Sequence, residues 1–393
     1  MSVDAASPGY AEAKKLLSIL VKPVSWGCNL RCRYCFYNIT ERVYPRFHVM
    51  DAATLERMTR DLQAIGNPTV AYGWQGGEPL LAGRDFFHLA FRMQEKHRRG
   101  GQTVVNAVQT NATLIDDAWA KLFAHNRVLL GVSLDGPRKV HDHYRGAGTH
   151  EKVLNAVKLL QAQRAEFNIL TVLNDRNVGM GKKLYVYLRD MGFKWLQFIP
   201  IVEPGDGGGP APFSVTGEQY GDFLLDVFDE WHRHDVGKVS VRFFDSSVLH
   251  AGGGRGLLCI QDGSCDGYVV VEHNGDIYPC DFFVRAEWKA GNVNECPEGG
   301  NPYVRALESS VMKRFREGRK TAECEGCEYE WLCRGGCQKD RLVKSGAYGG
   351  GIERRSVLCP GYKKFYKATL GWFSKEAERL GMKAEDGGAG RSG

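Results

Sequence analysis

Between residues 17 and 235, apolar strand-like runs alternate with amphipathic helical runs six times, and that repetition leaves few architectures open. The run "LSILVKPVS" (17–25) precedes "MDAATLERMTRDLQAIG", in which Asp51 is placed as an N-cap. "TVAYGWQGG" precedes "GRDFFHLAFRMQEKHRR", and "TVVNAVQTN" precedes "DDAWAKLFAHN". "RVLLGVSLDG", "EFNILTVLN" and "FKWLQFIPIV" lead into helical runs in the same way. Strands separated by helices of this length imply a parallel sheet with right-handed crossovers, either doubly wound or an incomplete barrel. In both, function gathers at the C-terminal ends of the strands. The turns there read "CNLRCRYC", "QGGEP", "QTNAT" and "SLDGP", a set that points to one shared ligand site.

The other constraint is twelve cysteines, unevenly placed. Apolar residues make up 43% and charged residues 25%, an ordinary globular balance. The net charge of +6 is spread without a basic block, so no nucleic-acid partner is expected. No apolar run approaches membrane-spanning length and the N-terminus lacks a signal-peptide apolar region, so the expected location is cytoplasmic, away from membranes. In a reducing compartment clustered cysteines bind metal or do redox work more often than they form disulfides.

Three cysteines, Cys28, Cys32 and Cys35, follow the first strand, and no other occurs until Cys259. Three thiolates can hold three irons of a four-iron cubane and leave the fourth open to a small chelating molecule. The alternatives are a zinc site completed by His48 or the distant cysteines, or buried structural thiols. From about residue 250 the texture changes to glycine, cysteine and short strands, with "DGYVVVEHNGDIYPCDFFV" reading as a β-hairpin turning at Asn274-Gly275. The remaining cysteines are Cys259, Cys265, Cys280, Cys296, Cys324, Cys327, Cys333, Cys337 and Cys359. Without Cys296 they number eight, enough for two fully ligated four-iron clusters, although "CEGCEYEWLCRGGC" alone also suits a zinc ribbon.

The Cys-x3-Cys-x2-Cys motif after a first strand resembles the radical SAM superfamily, which implies an α/β fold built on a partial (β/α)6 TIM barrel. The resemblance implies a [4Fe–4S] cluster on Cys28, Cys32 and Cys35 whose open iron binds S-adenosylmethionine (SAM). It further implies SAM contacts from Tyr34, from Gly76, Gly77 and Glu78 of "GGEP", and from Ser133, Arg145 and Leu196. Glycines let a backbone approach a ligand closely. The later cysteines resemble the SPASM domain, a small cysteine-rich module with a β-hairpin and a C-terminal helix. That implies two auxiliary [4Fe–4S] clusters, one on Cys259, Cys265, Cys280 and Cys337, the other on Cys324, Cys327, Cys333 and Cys359, with Cys296 an ordinary thiol.

Within the superfamily, "CNLRCRYCFY", "WQGGEP", "VQTNAT", "KWLQF" and "YPCDFFV" look most like the anaerobic sulfatase-maturating enzymes. The resemblance implies oxidation of a cysteine or serine of a sulfatase, in a Cys/Ser-x-Pro/Ala-x-Arg segment, to Cα-formylglycine after a 5'-deoxyadenosyl radical takes a Cβ hydrogen. Asp281 would be the general base, and Tyr37 and Gln75 would face the substrate. A reduced electron donor such as flavodoxin or ferredoxin is implied as a partner. The expected division is an N-terminal extension (1–16), the barrel (17–250), the SPASM domain (251–375) and a disordered tail (376–393). A second reading is a maturase forming thioether or carbon–carbon crosslinks in another ribosomal peptide; the 27 residues before Cys28 are too few for the leader-binding domain many of those carry. A third is a zinc-stabilised binding protein without catalysis.

Overall fold

A computed structural model describes residues 13, 15–16, 18–205, 209–297, 299–318, 322–341 and 355–382. In chain order its strands are β1 (Ser18–Lys22), β2 (Thr69–Trp74), β3 (Thr103–Thr110), β4 (Leu129–Ser133), β5 (Phe167–Leu173), β6 (Trp195–Pro200), β7 (Ser240–Val241), β8 (Tyr268–Glu272), β9 (Asp276–Tyr278) and β10 (Gly291–Asn292). The main helices are α1 (Ala52–Ala64), α2 (Arg84–His97), α3 (Asp117–His125), α4 (Arg138–Arg145), α5 (Thr149–Ala162) and α6 (Gly181–Asp190). They continue with α7 (Gly217–His234), α8 (Arg242–Ala251), α9 (Pro302–Glu308), α10 (Ser310–Glu317) and α11 (Cys359–Arg379). The six expected strand–helix units are all present, and Asp51 caps α1 by accepting from Thr54 N at 2.7 Å. Helix α7 starts on a reciprocal capping box between Thr216 and Gln219. Helix α11 runs through Arg379, past the position where a disordered tail is expected to begin; 383–393, like most of the N-terminal extension, lie outside the described residues. No described helix is long and apolar enough to cross a membrane.

The chain forms two compact units that are not continuous in sequence. The first takes residues up to Ser133, Asp142–Phe167 and Cys265–Arg316; the second takes Leu134–His141, Asn168–Ser264 and Glu317 onward. In the first, the strand order is β10-β9-β8-β1-β2-β3-β4, with β1 to β4 parallel. The hairpin β8–β9 turns at Gly275 with φ +88°, as its Asn-Gly pair suggests. Its first strand pairs parallel with β1, from Ser18 opposite Tyr268 to Lys22 opposite Glu272. Ile19, Val21, Val269, Val270 and Val271 are fully buried there, the run of apolar residues expected of strands covered on both faces.

In the second unit β5, β6 and β7 pair in parallel. Helix α11 lies against α7 and α8 through a cluster of aromatic rings that includes Phe228, Trp231, Phe244, Phe365 and Phe373. The crossing is close at its start: a Cβ on Gly361 would stand 2.3 Å from the Gly217 carbonyl oxygen.

Candidate active site

Parallel pairing of β1, β2, β3 and β4 brings their C-terminal ends to one edge of the first unit, which gathers Lys22, the "QGGEP" turn, the "QTN" turn and Ser133. The three-cysteine loop leaves that edge directly after β1. Leu30 N donates to Cys28 Sγ at 3.3 Å, and Asn111 Nδ2 donates to the same sulfur at 3.6 Å and to Asn29 Oδ1 at 2.9 Å. Asn111, from the third turn, is a site residue that the sequence reading did not single out, although its motif was visible.

The glycines of "GGEP" serve the chain itself as well as any ligand. Gly76 and Gly77 have φ of +98° and +51°, and a Cβ on Gly77 would lie 2.0 Å from the Gly27 carbonyl oxygen. The turn is thereby clasped to the residue before Cys28, and Glu78 N completes the clasp by donating to Gly27 O at 2.7 Å. The Glu78 side chain points inward. It is fully buried and accepts from Leu80 N, Thr110 Oγ1 and Asn111 N at 3.1, 2.8 and 2.7 Å. Burial pushes its carboxyl up to about 7. Its side chain ties the second turn to the third.

Tyr34 is buried, with its ring centroid 5.1 Å from that of Tyr144 and the Arg145 guanidinium 5.6 Å from its own centroid. Arg145 also faces Cys35 closely enough to favour its thiolate. Ser133 is buried at the end of β4, and Leu196 is a buried residue of β6 in the second unit.

The residues expected to handle substrate meet in one hydrogen-bonded group. Tyr37 OH and Gln75 Nε2 each donate to Asp281 Oδ2 at 2.7 Å, and Gln75 Nε2 lies 3.0 Å from Tyr37 OH. The other carboxylate oxygen of Asp281 lies 2.6 Å from Lys22 Nζ, which the sequence reading passed over as part of a strand. Lys22 is 0% and Asp281 4% exposed, so this is a buried ion pair. Lys22 also sits 4.2 Å from the Tyr37 ring centroid and 4.0 Å from Glu272 Oε1. Burial and the Asp281 charge push the Tyr37 hydroxyl well above its usual range, so it remains a donor.

The cysteine donor sets themselves test whether iron–sulfur clusters fit. Burial and mutual proximity push the Cys28 thiol up to about 11 and Cys35 up to about 12. Such thiols become thiolates when iron binds and supplies the compensating charge. In the second unit Cys324, Cys327, Cys333 and Cys359 line one cavity, with Cys333 pushed up to about 12 by burial and its neighbouring thiols. Among the described residues, no three His, Cys, Asp or Glu side chains are arranged as a ready single-ion site. Cys265 and Cys280 belong to the first unit and Cys259 and Cys337 to the second. Cys280 is buried with its sulfur 3.1 Å from Tyr268 OH. Cys296 stands apart beside Gly300.

Comparison with known proteins matches the geometry. Residues 23–184 fit the radical SAM superfamily model, and residues 263–328 fit the SPASM iron–sulfur cluster-binding domain. The chain is 34% identical over 384 residues to a serine-type anaerobic sulfatase-maturating enzyme of Bacteroides thetaiotaomicron, covering 91% of this chain and 90% of that one. It is 34% identical over 360 residues to a cysteine-type enzyme of Clostridium perfringens, covering 89% and 95%. The solved structure of native anSMEcpe with bound AdoMet and Cp18Cys peptide superposes with a TM-score of 0.83 at 32% identity, covering 93% of this chain and 99% of that one. Whole-length identity at this level, with a radical SAM core and a SPASM module in the same order, places the chain in the family of anaerobic sulfatase-maturating enzymes.

Proposed function

We propose that this enzyme oxidises a cysteine or serine side chain of a sulfatase polypeptide to Cα-formylglycine, with Asp281 as the general base. The observation that carries the reading is the hydrogen-bonded group of Asp281, Tyr37, Gln75 and Lys22 beside the three-cysteine loop, with Asp281 and Lys22 buried and Tyr37 and Gln75 half-buried. Cys28, Cys32 and Cys35 would hold the cluster that binds SAM, and the two sets of four later cysteines would hold the auxiliary clusters. When bound, the front cluster and SAM supply the radical that removes one hydrogen atom from Cβ of the target residue.

The chain's own residues account for the proton that then leaves the substrate. A carbon radical bearing a thiol or hydroxyl becomes a C=S or C=O bond by losing one proton and one electron; the electron would go to an auxiliary cluster on the later cysteines, and water would convert C=S to the aldehyde with release of hydrogen sulfide. Asp281 takes the proton. A carboxylate has about four acceptor sites, so it can receive a substrate proton while held at one oxygen by Lys22. Tyr37 and Gln75 fix its other oxygen and, as donors, can pass to the substrate heteroatom when the peptide enters. Burial of Lys22 and Asp281 keeps bulk water from the carboxylate that takes the proton.

The test is anaerobic reconstitution with SAM, dithionite and a peptide carrying Cys-x-Pro-x-Arg or its serine version, followed by mass analysis. Formylglycine is the expected product. D281N is expected to keep its iron and its SAM cleavage but lose at least about 100-fold in aldehyde yield, in line with loss of a general base. An undiminished yield in that variant rejects Asp281 as the base. SAM cleavage without change in either peptide rejects the substrate class.

A further inference from the structure

The proposed reaction is started by one electron entering from outside the protein. Residues 28–49, the cysteine loop and the segment after it, hold four arginines and one glutamate, half of the net +6 of the chain. This segment folds back on the loop. Phe47 places its ring over Gly27, where a Cβ would meet it at 2.3 Å. The Arg31 guanidinium lies 5.5 Å from the Trp26 ring centroid, and Trp26 Nε1 donates to Tyr44 O at 2.6 Å. Arg31 also reaches Glu41 at 3.5 Å, which leaves Arg33, Arg42 and Arg46 as exposed charge in excess among the described residues. Arg33 stands 3.5 Å from the His143 ring.

An apolar centre accompanies the charge. Phe47 is 48% exposed and Val49 39% exposed, both among the few large apolar side chains that face solvent. A cationic rim around exposed apolar side chains suits a transient partner steered by charge and seated by a small dry contact. The three-cysteine loop beside it is partly exposed, so a carrier seated here stands next to the thiols.

We infer that Arg31, Arg33, Arg42, Arg46 and Phe47 form the docking surface for a small acidic one-electron carrier protein. The carrier is oxidised by one electron and the centre held by Cys28, Cys32 and Cys35 is reduced by one. The inference rests on the functional reading above for the need of that electron, and on the charge and exposure of this face for its place.

The test uses the iron-loaded full-length enzyme, oxidised flavodoxin as the carrier, and two charge-matched variants. R42E/R46E alters the patch outside the cysteine loop, and R92E/R99E alters exposed charge in and just after α2. Calorimetric Kd for flavodoxin is expected to rise about tenfold or more in R42E/R46E only, with the wild-type affinity falling steeply with salt. Flavodoxin-driven formylglycine formation is expected to fall alongside, while dithionite-driven formation and iron content stay at wild-type values. An equal shift in R92E/R99E, no shift in either, or an equal loss with dithionite overturns the docking surface. A raised KM for the sulfatase peptide with an unchanged flavodoxin Kd overturns it in favour of a substrate contact. Wild-type enzyme that makes no formylglycine with dithionite rejects the functional reading instead, and the Kd comparison still decides the surface.

Discussion

Lys22 shows how much of a site can rest on a residue without chemistry of its own. Its ammonium is fully buried between Asp281 at 2.6 Å and Glu272 at 4.0 Å. One cation therefore serves two buried carboxylates. Removing one partner of a buried ion pair costs about 3–5 kcal/mol, because the remaining charge stays buried and uncompensated. K22M is expected to lower the melting temperature and to abolish formylglycine formation. In K22M/E272Q one of the two stranded carboxylates is gone, so part of the stability should return while activity stays lost, since Asp281 still lacks its positioning contact. Thermal melts and aldehyde yields on the two variants read this directly. Recovery of activity together with stability would make Lys22 a purely structural neutraliser.

At the scale of elements, the sequence made legible those features that depend on neighbours along the chain. Strand–helix alternation, the Asp51 cap and the Asn-Gly hairpin turn are local patterns, and each is found in the fold. The cysteine spacings are local too. Lys22 was hidden because its partners lie at the far end of the chain, and a lysine in "LVKPV" reads as a strand terminus. The role of Glu78 within the fold was hidden for the same reason: its motif suggests a cofactor contact, while its bonds to β3 and the turn after it come from residues more than thirty positions away. Gly361 belongs to this hidden class. It opens α11 two residues after Cys359 and permits that helix to touch the backbone of α7, where a methyl group would lie 2.3 Å from Gly217 O. G361A is expected to push the start of α11 away and carry Cys359 with it. The variant should lose about four irons per chain, those of one cluster, and keep the remainder. Iron assay and the cluster's absorption measure this, and wild-type iron content would mean that the second unit absorbs the methyl elsewhere.

For the whole molecule, the two sequence regions do not map onto the two compact units. Residues 265–316 complete the first unit, where β8 covers the outer edge of β1 and α9 sits on α1 through Asn301 Nδ2 to Asp61 O at 2.7 Å and Tyr303 OH to Met58 O at 3.1 Å. Val269, Val270 and Val271 are fully buried in that contact. Each such valine contributes about 1.5–3 kcal/mol on burial, so the three together give roughly 5–9 kcal/mol. That is comparable to the entire net stability of an ordinary domain, about 5–15 kcal/mol. A fragment ending at Ser264 keeps all six strand–helix units yet loses β8, β9, β10, α9, α10 and α11. It would also bare the backbone edge and the apolar side chains of β1, a template for intermolecular pairing. The fragment is therefore expected to collect in the insoluble fraction, or to lack a cooperative melt where soluble. Extending it to Arg316 restores β8 to α10 but not α11 or Cys324, Cys327, Cys333 and Cys359, so a gain in solubility from that extension alone would locate the stabilising contact in β8 to α10 rather than in α11 or the later cysteines. A soluble, cooperatively melting fragment ending at Ser264 would mean that the six-unit repeat folds without the edge strand that covers it here.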